Sequence, residues 1–130
     1  MFSKIYWETD LHFFIYNFYS KFTYYILGDF MVDYLYLKDS LHTFSQNYNF
    51  LKIFSIGKSV LNNEIYCIKF GIGKKEVLYT GGIHANEWIT SLLLIKFTHN
   101  LCNAFVSNSQ IYGYDAKYLY ENCSLYIIPM

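Results

Sequence analysis

The chain is 130 residues long, 54% hydrophobic and 22% aromatic, with a formal charge of zero. That length supports one domain at most, and the apolar share supports a packed core and excludes a disordered chain. Zero net charge removes the electrostatic case for a nucleic-acid partner. All ten basic residues are lysines, so the bidentate guanidinium clamp usual for carboxylates is missing.

The first feature along the chain is an apolar run over residues 11–27, LHFFIYNFYSKFTYYIL. It is short for a membrane span and is interrupted by His12, Asn17 and Lys21. It has no basic start or small-residue cleavage site of a secretory signal. We read residues 1–32 as an N-terminal extension of unknown role, with no membrane span, and expect a cytoplasmic protein. Residues 33–130 form the domain.

Tyr34, Leu37, Leu41, Phe44 and Tyr48 recur at helical spacing, with Asp33 as N-cap. NFLKIFSIG then reads as a strand stopped by Gly57. EIYCIKFG and EVLYTGG read as strands, and the GIGKK between them suggests a hairpin turn. GIGKK lacks the third glycine and the Ser or Thr of a phosphate loop, and it leads into a strand. Ser59 lacks the glycine frame of a nucleophile elbow.

After Gly82 the period changes. Ile89, Leu92, Leu93, Phe97, Leu101, Ala104 and Phe105 predict a helix over 86–105. DAKYLYEN reads as a short helix, and SLYIIPM as a buried strand at the end of the chain. The order predicts an α/β layered sheet with a crossover helix on one face. A core strand followed at once by the terminus has nothing on its far edge, so we expect a chain cut off inside a larger fold. Cys67, Cys102 and Cys123 are too far apart for a CxxC motif and read as small buried hydrophobes.

The chemistry concentrates in GGIHANEWIT, residues 81–90. His84 falls at the C-terminal end of a predicted strand and Glu87 in the first turn of the next helix, where open α/β sheets place ligands. Zinc accepts imidazole and carboxylate donors alike. The bland alternative is a helix-dipole role for Glu87 beside a turn histidine.

The segment resembles the first zinc-binding segment of the zinc carboxypeptidase family, in which Gly-Xaa-His-Xaa-Xaa-Glu-Trp follows a core strand. FSIGKSVLNNEIYCIKFG resembles the preceding hairpin of that family, and LYIIPM the strand that runs on into Asn-Pro-Asp-Gly. The blocks keep family order. The resemblance implies a partial three-layer mixed-sheet α/β fold, truncated after a core strand. It implies Zn2+ as cofactor, with His84 and Glu87 as two of its ligands. The third ligand, a histidine, and the catalytic glutamate lie further downstream in the family. No catalytic residue is therefore assigned in this chain, and we expect these 130 residues to be inactive alone.

Asn86 stands where the digestive members have a substrate-contacting arginine, which makes it a substrate-binding candidate. HANEWIT is closer to the branch similar to γ-D-glutamyl-L-diamino acid endopeptidases, and the implied substrate is a peptide of the peptidoglycan stem. His99 lies about twelve residues beyond Glu87, ~18 Å along a helix, too far to share a metal. A zinc-dependent deacylase or amidase of the same fold, and a non-catalytic degenerate fragment, are the alternatives.

Overall fold

The computed structural model describes residues 33–84 and 86–130. The apolar run at 11–27 and the rest of the 1–32 extension lie outside the described residues. Helix α1, Tyr34–Asn47, starts where Asp33 accepts a hydrogen bond from the Tyr36 N–H at 2.8 Å, as a side-chain cap should. Leu37, Leu41 and Phe44 form its buried stripe.

Strands β1, Lys52–Lys58, and β2, Glu64–Phe70, make an antiparallel hairpin. β1 continues through Gly57 instead of stopping there. Gly57 adopts φ +154 and the register shifts between Ser55 and Gly57, a bulge that absorbs one residue. The exposed hairpin end carries a Lys58–Glu64 ion pair at 3.3 Å.

Strand β3, Lys75–Thr80, does not pair with β2. The sheet order is β1-β2-β6-β3, where β6 is Cys123–Ile128. β6 runs antiparallel to β2 and parallel to β3. The GIG segment is therefore not a hairpin turn but a crossover past the start of β6. The Ile72 N–H donates to Tyr120 O at 2.8 Å, and the Gly73 N–H to Cys123 O at 3.0 Å. The Ser124 hydroxyl donates to Gly73 O at 2.7 Å. A Cβ on Gly73 would lie 1.8 Å from the backbone carbon of Asn122, so glycine is required by close backbone approach.

The helical pattern after Gly82 forms α2, Trp88–Val106, which links parallel neighbours β3 and β6. By length and composition alone α2 could cross a membrane. Here its buried residues, among them Ile95, Leu101 and Cys102, pack as a core helix. A small hairpin follows, β4 (Gln110–Ile111) and β5 (Tyr114–Asp115). Tyr112 and Gly113 at its tip have positive φ, as two-residue hairpin turns demand. Helix α3, Ala116–Asn122, is capped by Asp115, which accepts from the Tyr118 N–H at 2.7 Å.

Register sets the two faces of the sheet. Ile68, Phe70, Leu125 and Ile127 point to the face that carries the helices, with Leu37, Leu41, Ile95, Leu101 and Ala116 packed over them. Phe50, Phe70, Phe105 and Tyr120 interlock there, with ring centroids 4.5–6.1 Å apart. The opposite face presents Phe54, Lys69, Tyr126 and Leu78, and Phe54 and Leu78 are exposed. The Tyr126 hydroxyl donates to Glu76 at 3.0 Å beneath Lys69, whose ammonium sits 5.2 Å above the ring.

This is a mixed α/β sheet of the expected class, and the described residues account for a sheet layer and one helix layer. The expectation of an unpaired last strand is not met. β6 has a partner on each side, and the open edges among the described residues are those of β1 and β3.

Candidate functional site

The site is the connection from β3 to α2. The Gly81 N–H donates to Ile128 O at 2.9 Å, carrying the β3–β6 ladder one residue past the strand. Gly82 then turns the chain with φ +65, and a Cβ there would sit 2.9 Å from Ser91 Oγ. Further on, the Glu87 N–H donates to His84 O at 2.9 Å, closing a turn from His84 to Glu87. Glu87 is the N-cap of α2 and not a first-turn residue, because the helix starts at Trp88, two residues later than the sequence predicts.

His84, Asn86 and Glu87 are all exposed. The Glu87 carboxylate makes no cap hydrogen bond to its own helix. Glutamate is not among the favoured N-caps, because its longer chain fits the cap geometry poorly. A purely helix-stabilising role thus lacks its main interaction, leaving only the attraction of the helix dipole.

The sequence reading missed Thr90. Its hydroxyl donates to Glu87 O at 2.7 Å and accepts the Gly82 N–H at 2.8 Å, while its own N–H also donates to Glu87 O at 2.9 Å. Nothing in the pattern singles out a threonine in a first helical turn. Beside it, Ser91 is fully buried, and its hydroxyl has no hydrogen-bond partner among the described residues.

The turn thus carries His84 and Glu87 three residues apart on an exposed connection, and the two other described histidines lie elsewhere. His99 stacks on Phe44 at 6.4 Å and lies 3.4 Å from the Asn103 amide. His42 contacts Gln46 on α1. A cleft of about 400 Å³ between α1 and α2 is lined by Tyr36, Asp39, Lys96 and His99 and includes neither His84 nor Glu87. Among the described residues no group of three His, Cys, Asp or Glu could hold a metal. The imidazole and carboxylate suit zinc in kind, but a catalytic zinc takes three protein ligands, so these two fit part of such a site. The cysteines contribute nothing. Cys67 and Cys102 are buried and all three thiols are free, and burial pushes the Cys102 thiol up to about 12.

The zinc carboxypeptidase family model matches residues 37–130. The chain belongs to the zinc carboxypeptidase family. This is a family of peptidases, and three relatives fill in the picture. Gamma-D-glutamyl-L-diamino acid endopeptidase 1 of Lysinibacillus sphaericus is 33% identical over 98 residues, 75% of this chain and 25% of that protein. The uncharacterized protein YqgT of Bacillus subtilis (strain 168) is 34% identical over 83 residues, 62% of this chain and 22% of that one. Human carboxypeptidase D is 28% identical over 97 residues, covering 68% and 7%. Bovine thrombin-activatable fibrinolysis inhibitor, solved in complex with tick carboxypeptidase inhibitor, superposes with a TM-score of 0.53 at 20% identity. That match covers 75% of this chain and 28% of the other, and it shows the carboxypeptidase fold. This zinc carboxypeptidase-family chain therefore spans about a quarter of the length of the first two relatives.

Proposed function

We propose that His84 and Glu87 are two ligands of a zinc-dependent peptidase acting on cell-wall stem peptides, with Asn86 contacting the substrate. The observation that carries this is the turn itself. It presents an imidazole and an uncapped carboxylate to solvent at the C-terminal end of β3. Zinc bound there would supply Lewis acidity and lower the pKa of a bound water.

The residues of the chain do the rest. A His84 ring nitrogen would donate a lone pair to the metal and the Glu87 carboxylate would offset part of its charge. Asn86, between them in the turn, offers amide N–H groups that donate to a substrate carbonyl without adding charge. Asn86 carries no charge to pair with a terminal carboxylate, which favours an internal bond over a C-terminal residue. The relative named gamma-D-glutamyl-L-diamino acid endopeptidase supports the same choice. Two ligands make a weak site, so the 130-residue chain binds zinc loosely and does not turn over.

The test is a zinc titration of the 15N-labelled chain followed by NMR. We expect shifts centred on His84 and Glu87 that vanish in His84→Ala, and no hydrolysis of a γ-D-glutamyl-L-lysine peptide. Zinc shifts elsewhere with none at this turn, or hydrolysis that survives His84→Ala, would refute the reading.

A further inference from the structure

We propose that Thr90 is a positioning residue for the His84 and Glu87 pair, an inference that rests on the zinc reading above. A threonine hydroxyl has one proton to donate and two lone pairs to accept with. Here it uses both functions on the site loop, giving its proton to Glu87 O at 2.7 Å and accepting the Gly82 N–H at 2.8 Å. A single oxygen thus joins the two ends of the loop that carries His84, and the Glu87-to-His84 backbone bond braces its middle.

The Gly82 end of the loop has little room to relax. Gly82 is held at φ +65, and the buried Ser91 hydroxyl fills the space where a Cβ would go. A threonine near a helix start often bonds back to a carbonyl one turn earlier, and that alone would be local helix chemistry. The accepted bond from Gly82 is different, because it reaches eight residues back to the end of β3. Thr90 touches neither of the proposed donor atoms; it sets the distance and direction between them. Groups that orient metal ligands typically change metal affinity by about 10–100-fold when removed.

The test compares Thr90→Val, which keeps the shape and loses the hydroxyl, with Thr90→Ser, which keeps the hydroxyl. Zinc affinity is read from the NMR titration, and amide hydrogen exchange is read at Gly82 in the unmodified chain. We expect Thr90→Val to weaken zinc binding about tenfold or more, and Thr90→Ser to restore it. We also expect the Gly82 amide to be protected, and more so with zinc. A general loss of packing would lower the melting temperature of both variants without this split. Thr90→Val binding zinc as tightly as the unmodified chain overturns the proposal. If Thr90→Val does not fold, Gly82 exchange decides, and exchange indifferent to zinc overturns it. Absence of zinc shifts at His84 and Glu87 in the unmodified chain overturns the zinc reading and this inference together. Shifts there with an unaffected Thr90→Val overturn this inference alone.

Discussion

Adding one methyl group at Gly73 should damage this fold more than adding one at any open glycine. The new Cβ would lie 1.8 Å from Asn122 C and 2.2 Å from both Asn122 O and Cys123 N. All three are backbone atoms, so no side-chain rotation relieves the clash and the crossover must lift from the α3–β6 junction. Lifting breaks the Gly73 N–H bond to Cys123 O and the Ser124 bond to Gly73 O. Each such bond contributes ~1 kcal/mol, and stranding the Ser124 hydroxyl, which is 2% exposed, costs ~1–3 kcal/mol more.

The total for Gly73→Ala is then about 3–5 kcal/mol. At roughly 4–8 °C per kcal/mol for a domain of this size, the melting midpoint should fall by at least ~12 °C. Gly113→Ala is the control. Gly113 has φ +83 but nothing within 4 Å of a Cβ, so only the left-handed backbone cost of ~1–2 kcal/mol applies. Urea and thermal unfolding followed by far-UV circular dichroism would measure both. If Gly73→Ala is no less stable than Gly113→Ala, the crossover is not held as described.

Asp33→Ala removes the α1 cap and should lower stability by ~1 kcal/mol in urea unfolding. Cys102 should resist a thiol reagent at pH 8 until the chain is unfolded, because burial pushes its thiol up to about 12. The sign of its pH effect follows. The unfolded thiol ionises from about pH 9, whereas the folded one keeps its proton to about 12. The unfolded state therefore binds fewer protons in that window, and stability should decline as pH rises through it. Urea unfolding at pH 8 and pH 10 checks this, and an unchanged midpoint would contradict it.

Local signals were legible in the sequence and non-local ones were not. The α1 stripe of Leu37, Leu41 and Phe44 and its Asp33 cap follow from spacing and side-chain chemistry within a few residues. The same holds for α3 and for the strand character of β6. The β2–β3 connection failed because a glycine does two jobs. Gly71 and Gly73 read as turn residues, yet they are small so that Cys123 and Asn122 can approach. Only the insertion of a strand fifty residues later reveals this, and no local pattern encodes it. Of the proposed site, His84, Asn86 and Glu87 stand in a short motif that the sequence displays. Thr90 was not, since its bond to Gly82 exists only once the loop has closed.

The place of β6 has a consequence for the order of assembly. β1 and β2 can pair as soon as both exist, since a five-residue connection separates them. β3 cannot, because its sheet partner β6 comes much later in the chain, Lys75 pairing with Cys123. Closing that long separation costs more chain entropy than closing a hairpin, and the return comes only when β6 docks. During synthesis, β3 and its exposed Leu78 must wait beside an incomplete sheet until residue 128 has left the ribosome. The turn carrying His84 and Glu87 hangs from β3 through the Gly81 bond to Ile128. The site loop would then take its final shape only once β6 has docked, after the β1–β2 hairpin and not with it.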